Sequence, residues 1–158
     1  MADARFEDGD EAPLHLAAMD ADDLPVIAAL VQDAVFPITE MRYQPGKRRF
    51  ALLINRFRWE DREAAERGGR DFERVQSLLV VEGVLAARSQ GIDRADKDMV
   101  LSLLSVDFLS GEDAAGRVVL TLAGDGAVEL DVEALEVLLK DVTRPYAAPS
   151  RHAPTHPE

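Results

Sequence analysis

After a short expected strand at residues 14–18, the apolar residues of this chain recur at helical steps from Leu24 to Val35, and beyond Pro37 they recur every second residue. That change of period restricts the fold more than any other feature. Leu24, Ile27, Ala28, Val31, Ala34 and Val35 form the stripe of an amphipathic helix facing a core. Asp20 or Asp22 stands where a side-chain oxygen accepts free backbone N–H groups at a helix start. Phe36-Pro37 is predicted to end the helix, because the residue before a proline is pushed out of helical geometry.

From Arg48 to Trp59 the alternation predicts a strand. Phe50, Leu52 and Ile54 face one way, and Ala51, Leu53, Phe57 and Trp59 face the other. Arg56 and Arg58 are expected to carry the first face out into solvent. Residues 60–74 are polar, and Gly68-Gly69 interrupts any helical turn there, so a mobile surface loop is expected. Residues 76–90 are apolar and β-branched, with Gly83 as a bend or bulge. Residues 99–109 and 117–123 are further strands, joined by the polar hexapeptide 111–116, and Gly124-Asp125-Gly126 is a second hairpin turn. Strand following strand through short polar turns predicts a largely antiparallel sheet. In residues 128–142 the alternation of Val128, Leu130 and Val132 slips by one and resumes at Leu135, Val137 and Leu139. A bulged strand has that pattern, and so does a helix bearing Val132, Leu135, Leu139 and Val142. The tight turn before it favours the strand.

A chain of 158 residues with a net charge of -12 fits one domain. Residues 1–12 read as a flexible acidic lead, 13–144 as the domain, and 145–158 as a Pro-rich extended tail in which prolines prevent helix and sheet pairing. The start lacks the basic and apolar runs of a secretory signal, and no apolar run approaches the ~20 residues that span a bilayer. Cysteine is absent, which excludes disulfides, thiolate metal sites and a cysteine nucleophile, and fits a reducing cytoplasmic setting. The net charge opposes nucleic acid and anionic membranes as partners.

One stretch reverses that charge. Between residues 42 and 62 lie Arg42, Lys47, Arg48, Arg49, Arg56, Arg58 and Arg62, with Tyr43, Phe50, Phe57 and the single tryptophan, Trp59, against only Glu60 and Asp61. Guanidinium forks suit phosphates and carboxylates, and aromatic faces stack on planar groups. Arg42, Arg48, Arg49, Arg56, Arg58 and Trp59 are therefore the candidate binding residues for an acidic protein surface or a small anion. The competing reading is a solvated face whose arginines pair with the chain's own acids.

Nothing else carries chemistry. His152 and His156 are four apart, but Pro149, Pro154 and Pro157 rule out the helix that would join them, and His15 is remote, so no metal site is expected. Asp93, Asp96 and Asp98 lack the spacing of a calcium loop. Gly124-Asp125-Gly126 lacks the further residues of a phosphate loop, and no serine sits in a Gly-x-Ser-x-Gly context. No cofactor is expected and no catalytic residue stands out.

Several segments together resemble an uncharacterised bacterial family, domain of unknown function 2948. They are residues 48–60, Gly91-Ile92-Asp93, Leu122-Ala123-Gly124-Asp125-Gly126, and the ending from Asp141 through His156-Pro157. The resemblance spans about Leu14 to Glu158. It implies that the basic aromatic strand and the Pro-rich ending are family features, and it supplies no activity to transfer.

The expectation is an α+β fold: a mostly antiparallel, curved or partly closed sheet with one packed amphipathic helix near the N-terminus. The expected function is a non-enzymatic binding module. The alternatives are a small enzyme or metabolite sensor with a pocket in the curved sheet, and a homo-oligomeric structural protein.

Overall fold

The computed structural model describes residues 13–149 and 153–154. The acidic lead, His152 and His156 lie outside the described residues. β1 (His15–Ala18) precedes α1 (Leu24–Leu30) and β2 (Val35–Pro37). β3 (Met41–Gln44) and β4 (Arg49–Phe57) form a hairpin, and α2 (Arg62–Gly68) leads into β5 (Glu73–Glu82). Then come β6 (Val84–Gln90), β7 (Val100–Ser110), β8 (Gly116–Leu122), β9 (Gly126–Val132), β10 (Val137–Asp141) and β11 (Tyr146–Ala147).

The strands form a single open sheet in the order β1-β10-β5-β4-β2-β7-β8-β9-β6, with β3 beside β4 and β11 beside β5. Its ladders are antiparallel, as the short turns predict. Strand makes up 50% of the described residues and helical turns 17%, so the architecture is mostly β and not the α+β fold expected. The sheet does not close into a barrel.

The expected long helix is the reason for that difference. α1 ends at Leu30, and Asp33 adopts a left-handed conformation (φ 64°) that turns the chain into β2. The N–H of Asp33 donates to the carbonyl of Leu103 and the N–H of Leu103 donates to that of Ala34, each at 2.8 Å. Val35 and Phe36 then pair with Ser102 and Leu101. Pro37 forces Phe36 to be extended, and an extended residue continues a strand as readily as it ends a helix. The apolar stripe still points inward, since Leu24, Ile27, Val31 and Ala34 are all buried. Asp20 accepts the N–H groups of Asp22 and Asp23 at 3.0 Å in the turn that leads into α1, while the N-cap position itself, Asp23, makes no side-chain capping bond.

Two strands bend where their sequence patterns break. Gly83, with φ 70°, carries β5 into β6, and a Cβ there would meet Glu133 Cγ at 3.1 Å. The slip in 128–142 is the second bend. It separates β9, which pairs with β8 and β6, from β10, which pairs with β5 and β1. The segment is thus two strands, and neither a helix nor one bulged strand. The bends are tied together, because Glu133 N–H donates to the Gly83 carbonyl and Glu82 N–H to that of Glu136, both at 3.0 Å.

Bending folds the sheet over one apolar interior. Phe50, Leu52 and Ile54 of β4, Leu79 and Val81 of β5, and Val137 and Leu139 of β10 share a core with Val118, Leu120, Val128 and Leu130 of β8 and β9. Burying each such side chain stabilises the fold by roughly 1.5–3 kcal/mol. The expected mobile loop after β4 is instead the short helix α2, closed by Gly69 in the left-handed conformation. Within the tail, Tyr146 and Ala147 pair with Arg74 and Glu73 although prolines flank them.

Candidate functional site

The period-2 alternation of β4, carried one step beyond Ile54, puts Arg56 on the inner face. Arg56 and Arg58 do not extend that face into solvent: Arg56 is 0% and Arg58 6% exposed. The neighbouring strands supply matching polar groups at the same parity, since Ser77 follows Leu79 and Val81 back along β5 and Asp141 follows Val137 and Leu139 along β10.

The Arg56 guanidinium donates from Nη1 and Nη2 to the Glu60 carboxylate at 2.9 and 2.8 Å. Nη2 also reaches both Asp141 oxygens at 3.0 and 3.1 Å, and Nε donates to Ser77 Oγ at 3.0 Å. Ser77 Oγ donates to Asp141 Oδ1 at 2.6 Å, and Leu14 N–H to Asp141 Oδ2 at 3.0 Å. Burial alone pulls the Arg56 pKa down, but hydrogen bonds and charge from Glu60 and Asp141 outweigh it and leave the pKa raised. Arg56 is a permanent cation.

Arg58 pairs with Glu73 and lies 3.7 Å from Asp61, which Arg70 meets at 3.0 Å. Trp59 is half-buried. Its Nε1–H donates to the Gln32 carbonyl at 3.0 Å, and its ring packs edge-on against Phe57 at 4.7 Å. Phe72 lies 5.5 Å beyond Phe57. Arg56, Arg58 and Trp59 thus join the turn after α1 to β4, β5 and β10 at one end of the sheet.

The other end of the same ribbon faces outward. Arg48 has φ 50°, and its carbonyl accepts the Val84 N–H at the sheet bend. Its side chain is 60% exposed and pairs with Glu133 at 3.0 Å. Arg49 pairs with Glu82 across the ladder, which raises its pKa through that hydrogen bond. Arg42 is exposed on β3 and, alone among the arginines of 42–62, has no carboxylate partner among the described residues. The register sets Arg42 opposite Ala51, Ala51 opposite Val80, and Val80 opposite Leu138. Cross-strand partners share a face. The outer surface there is consequently a shallow apolar trough with Gln44, Arg49, Glu82 and Glu136 along one side.

A cleft of about 100 Å³ opens on the inner side of the β3–β4 hairpin. Met41, Phe50, Ala87 and Val128 supply its apolar walls. Tyr43, Arg88, Ser89 and Arg94 supply its polar lining. Arg88 is committed to Asp131 at 2.9 and 3.0 Å. That hydrogen bond, opposed by burial and aided by Arg117, lowers the Asp131 pKa to about 2. Among the described residues, no group of three His, Asp or Glu side chains is placed to hold a metal ion.

Sequence reasoning singled out none of Ser77, Asp141 and Arg94. The parity of Ser77 and Asp141 with their apolar neighbours was the available signal for the first two. Arg94 had none, because only folding brings its loop against β3.

These features define the class: a mostly-β domain on one open antiparallel sheet, with a buried arginine network at one end and an exposed basic hairpin at the other. Within it, the chain belongs to the family described as Protein of unknown function (DUF2948), which it matches over residues 14–156. No curated protein and no solved structure matches it.

Proposed function

We propose that the chain is a non-enzymatic binding module that works in the cytoplasm and recognises an acidic protein surface. The observation that carries the reading is Arg42, an uncommitted guanidinium in one cross-strand row with the apolar residues Ala51, Val80 and Leu138. An apolar centre with polar groups at its margin is the usual anatomy of a protein interface. Lys47, exposed on the adjoining turn, adds positive charge that steers an acidic partner. Of the residues singled out from the sequence, Arg42 is uncommitted at this surface, Arg48 and Arg49 reach its margin paired with Glu133 and Glu82, and Arg56, Arg58 and Trp59 support it from within. The absence of cysteine favours the cytoplasm, and no described helix is long and apolar enough to cross a membrane.

The test is capture from native extract with wild type, Arg42→Glu and Leu138→Ser. A specific partner held by the wild type should be lost from both variants and from the wild type at raised salt, since screening acts on exposed charge. Retention of that partner by Arg42→Glu would refute the proposal. Sedimentation of the purified protein separates a foreign partner from a second copy of the chain, whose net charge opposes self-association.

A further inference from the structure

Arg94 occupies a loop that contains Asp93, Asp96 and Asp98, yet it pairs with none of them. The local geometry explains this. Asp93 Oδ1 accepts the Ala95 N–H at 3.0 Å and Asp96 Oδ1 the Asp98 N–H at 3.1 Å, so two of the three carboxylates serve the turn itself. The loop is also fixed at both ends. Gly91, at φ 67°, sits so close to the β8–β9 turn that a Cβ would meet the Asp125 carbonyl oxygen at 2.6 Å. Ile92 and Met99 pack their side chains against the core. Arg94 is therefore presented on an anchored loop at the cleft with no carboxylate partner among the described residues.

We propose that the cleft between the β3–β4 hairpin and β6 is a binding site for a small monocarboxylate with an apolar body. Arg94 meets the carboxylate, the Tyr43 and Ser89 hydroxyls complete its hydrogen bonding, and Met41, Phe50 and Val128 take the body. Charge limits the ligand to one negative group. Among the described residues Arg88 is the only other cation lining the cleft, and it is held with Arg117 by Asp131 and Glu129, so no uncommitted cation is left for a second anionic group. Size limits it too, because at about 100 Å³ the cleft is smaller than the roughly 300–1,000 Å³ of drug-sized sites and suits only a compact body. Pockets of this kind, apolar with a few polar groups at one side, are the general form of small-molecule sites. The proposal goes beyond the acidic-partner surface and uses other residues, on the opposite face of the same hairpin.

The experiment is titration of the isotope-labelled full chain, followed by amide chemical shifts, with benzoate, isovalerate and the neutral isostere benzamide. Benzoate or isovalerate should produce saturable shifts at Tyr43, Phe50, Ala87 and Ser89, with benzamide at least about tenfold weaker, the usual worth of a charge-assisted hydrogen bond. Arg94→Gln changes an exposed side chain and should keep the spectrum of the fold while reducing carboxylate affinity by about tenfold. Arg42→Glu should leave the carboxylate affinity unchanged, which separates this site from the partner surface. Equal binding of benzoate and benzamide, undiminished binding by Arg94→Gln, shifts centred on Arg42 and Lys47, or no saturable shift with either carboxylate would each overturn the proposal.

Discussion

At the Arg56 end of β4 a guanidinium is fully buried among two carboxylates and a hydroxyl, whereas near the Arg49 end Arg42 is exposed, with no carboxylate partner among the described residues. The residue type is the same, and Ala51, the β4 partner of Arg42, is five residues from Arg56, so composition cannot explain the difference. Position in the sheet does. β4 is flanked by β5 along its whole length, and at Arg56 the inner face is roofed by the turn carrying Glu60 and by Asp141 of β10. β3, in contrast, pairs with β4 alone and leaves its outer face open. Buried ion pairs of this kind are not strong evidence of net stabilisation against an apolar replacement, but breaking one leaves an uncompensated charge. The lesson is that a basic run in sequence is not a basic surface until each cation's neighbours are known.

The largest effect tests the buried end. Arg56→Met should strand the buried Asp141 carboxylate and cost about 3–5 kcal/mol in urea unfolding. A loss below about 1 kcal/mol would mean that water reaches the cluster and that the two ends do not differ in kind. Next is Trp59→Phe, which keeps a ring against Phe57 but removes the donor to the Gln32 carbonyl. About 1–2 kcal/mol should be lost, read from the same unfolding curves. Smaller still is Arg42→Glu, which should shift stability by no more than about 0.5 kcal/mol while abolishing partner capture. Equal loss of stability and binding would turn Arg42 into a structural residue and erase the contrast.

The smallest effect concerns acid. The folded pKa of Asp131 lies below the ordinary carboxylate value, so its contribution is complete above that value and disappears as pH falls from 3.8 to about 2. Wild type and Arg88→Ala should therefore differ in stability at pH 5 and converge towards pH 2. The difference will be modest, because the pair is partly exposed and screened. Persistence of the full difference at pH 2 would assign Arg88 a packing role and not an electrostatic one.

Much of this fold was legible from local pattern. The alternation of β4, the bend at Gly83, and the turns at 111–116 and 124–126 follow from side-chain period and glycine, which are short-range properties. The helix boundary was misread because its stripe, Leu24 to Val35, continues inward after the backbone has become extended, so burial period and backbone conformation part company at Asp33. The candidate site was legible only as a composition. Arg42 and Arg56 look alike in sequence, and the acids that distinguish them include Asp141, eighty-five residues from Arg56.

The sequence by itself determined which segments alternate, where the chain turns, and that its cations cluster against the sign of the whole. Only the tertiary structure decided which of those cations meet water. Charge state depends on desolvation and on acids brought near by long-range strand pairing, and neither is encoded in the residues adjacent along the chain.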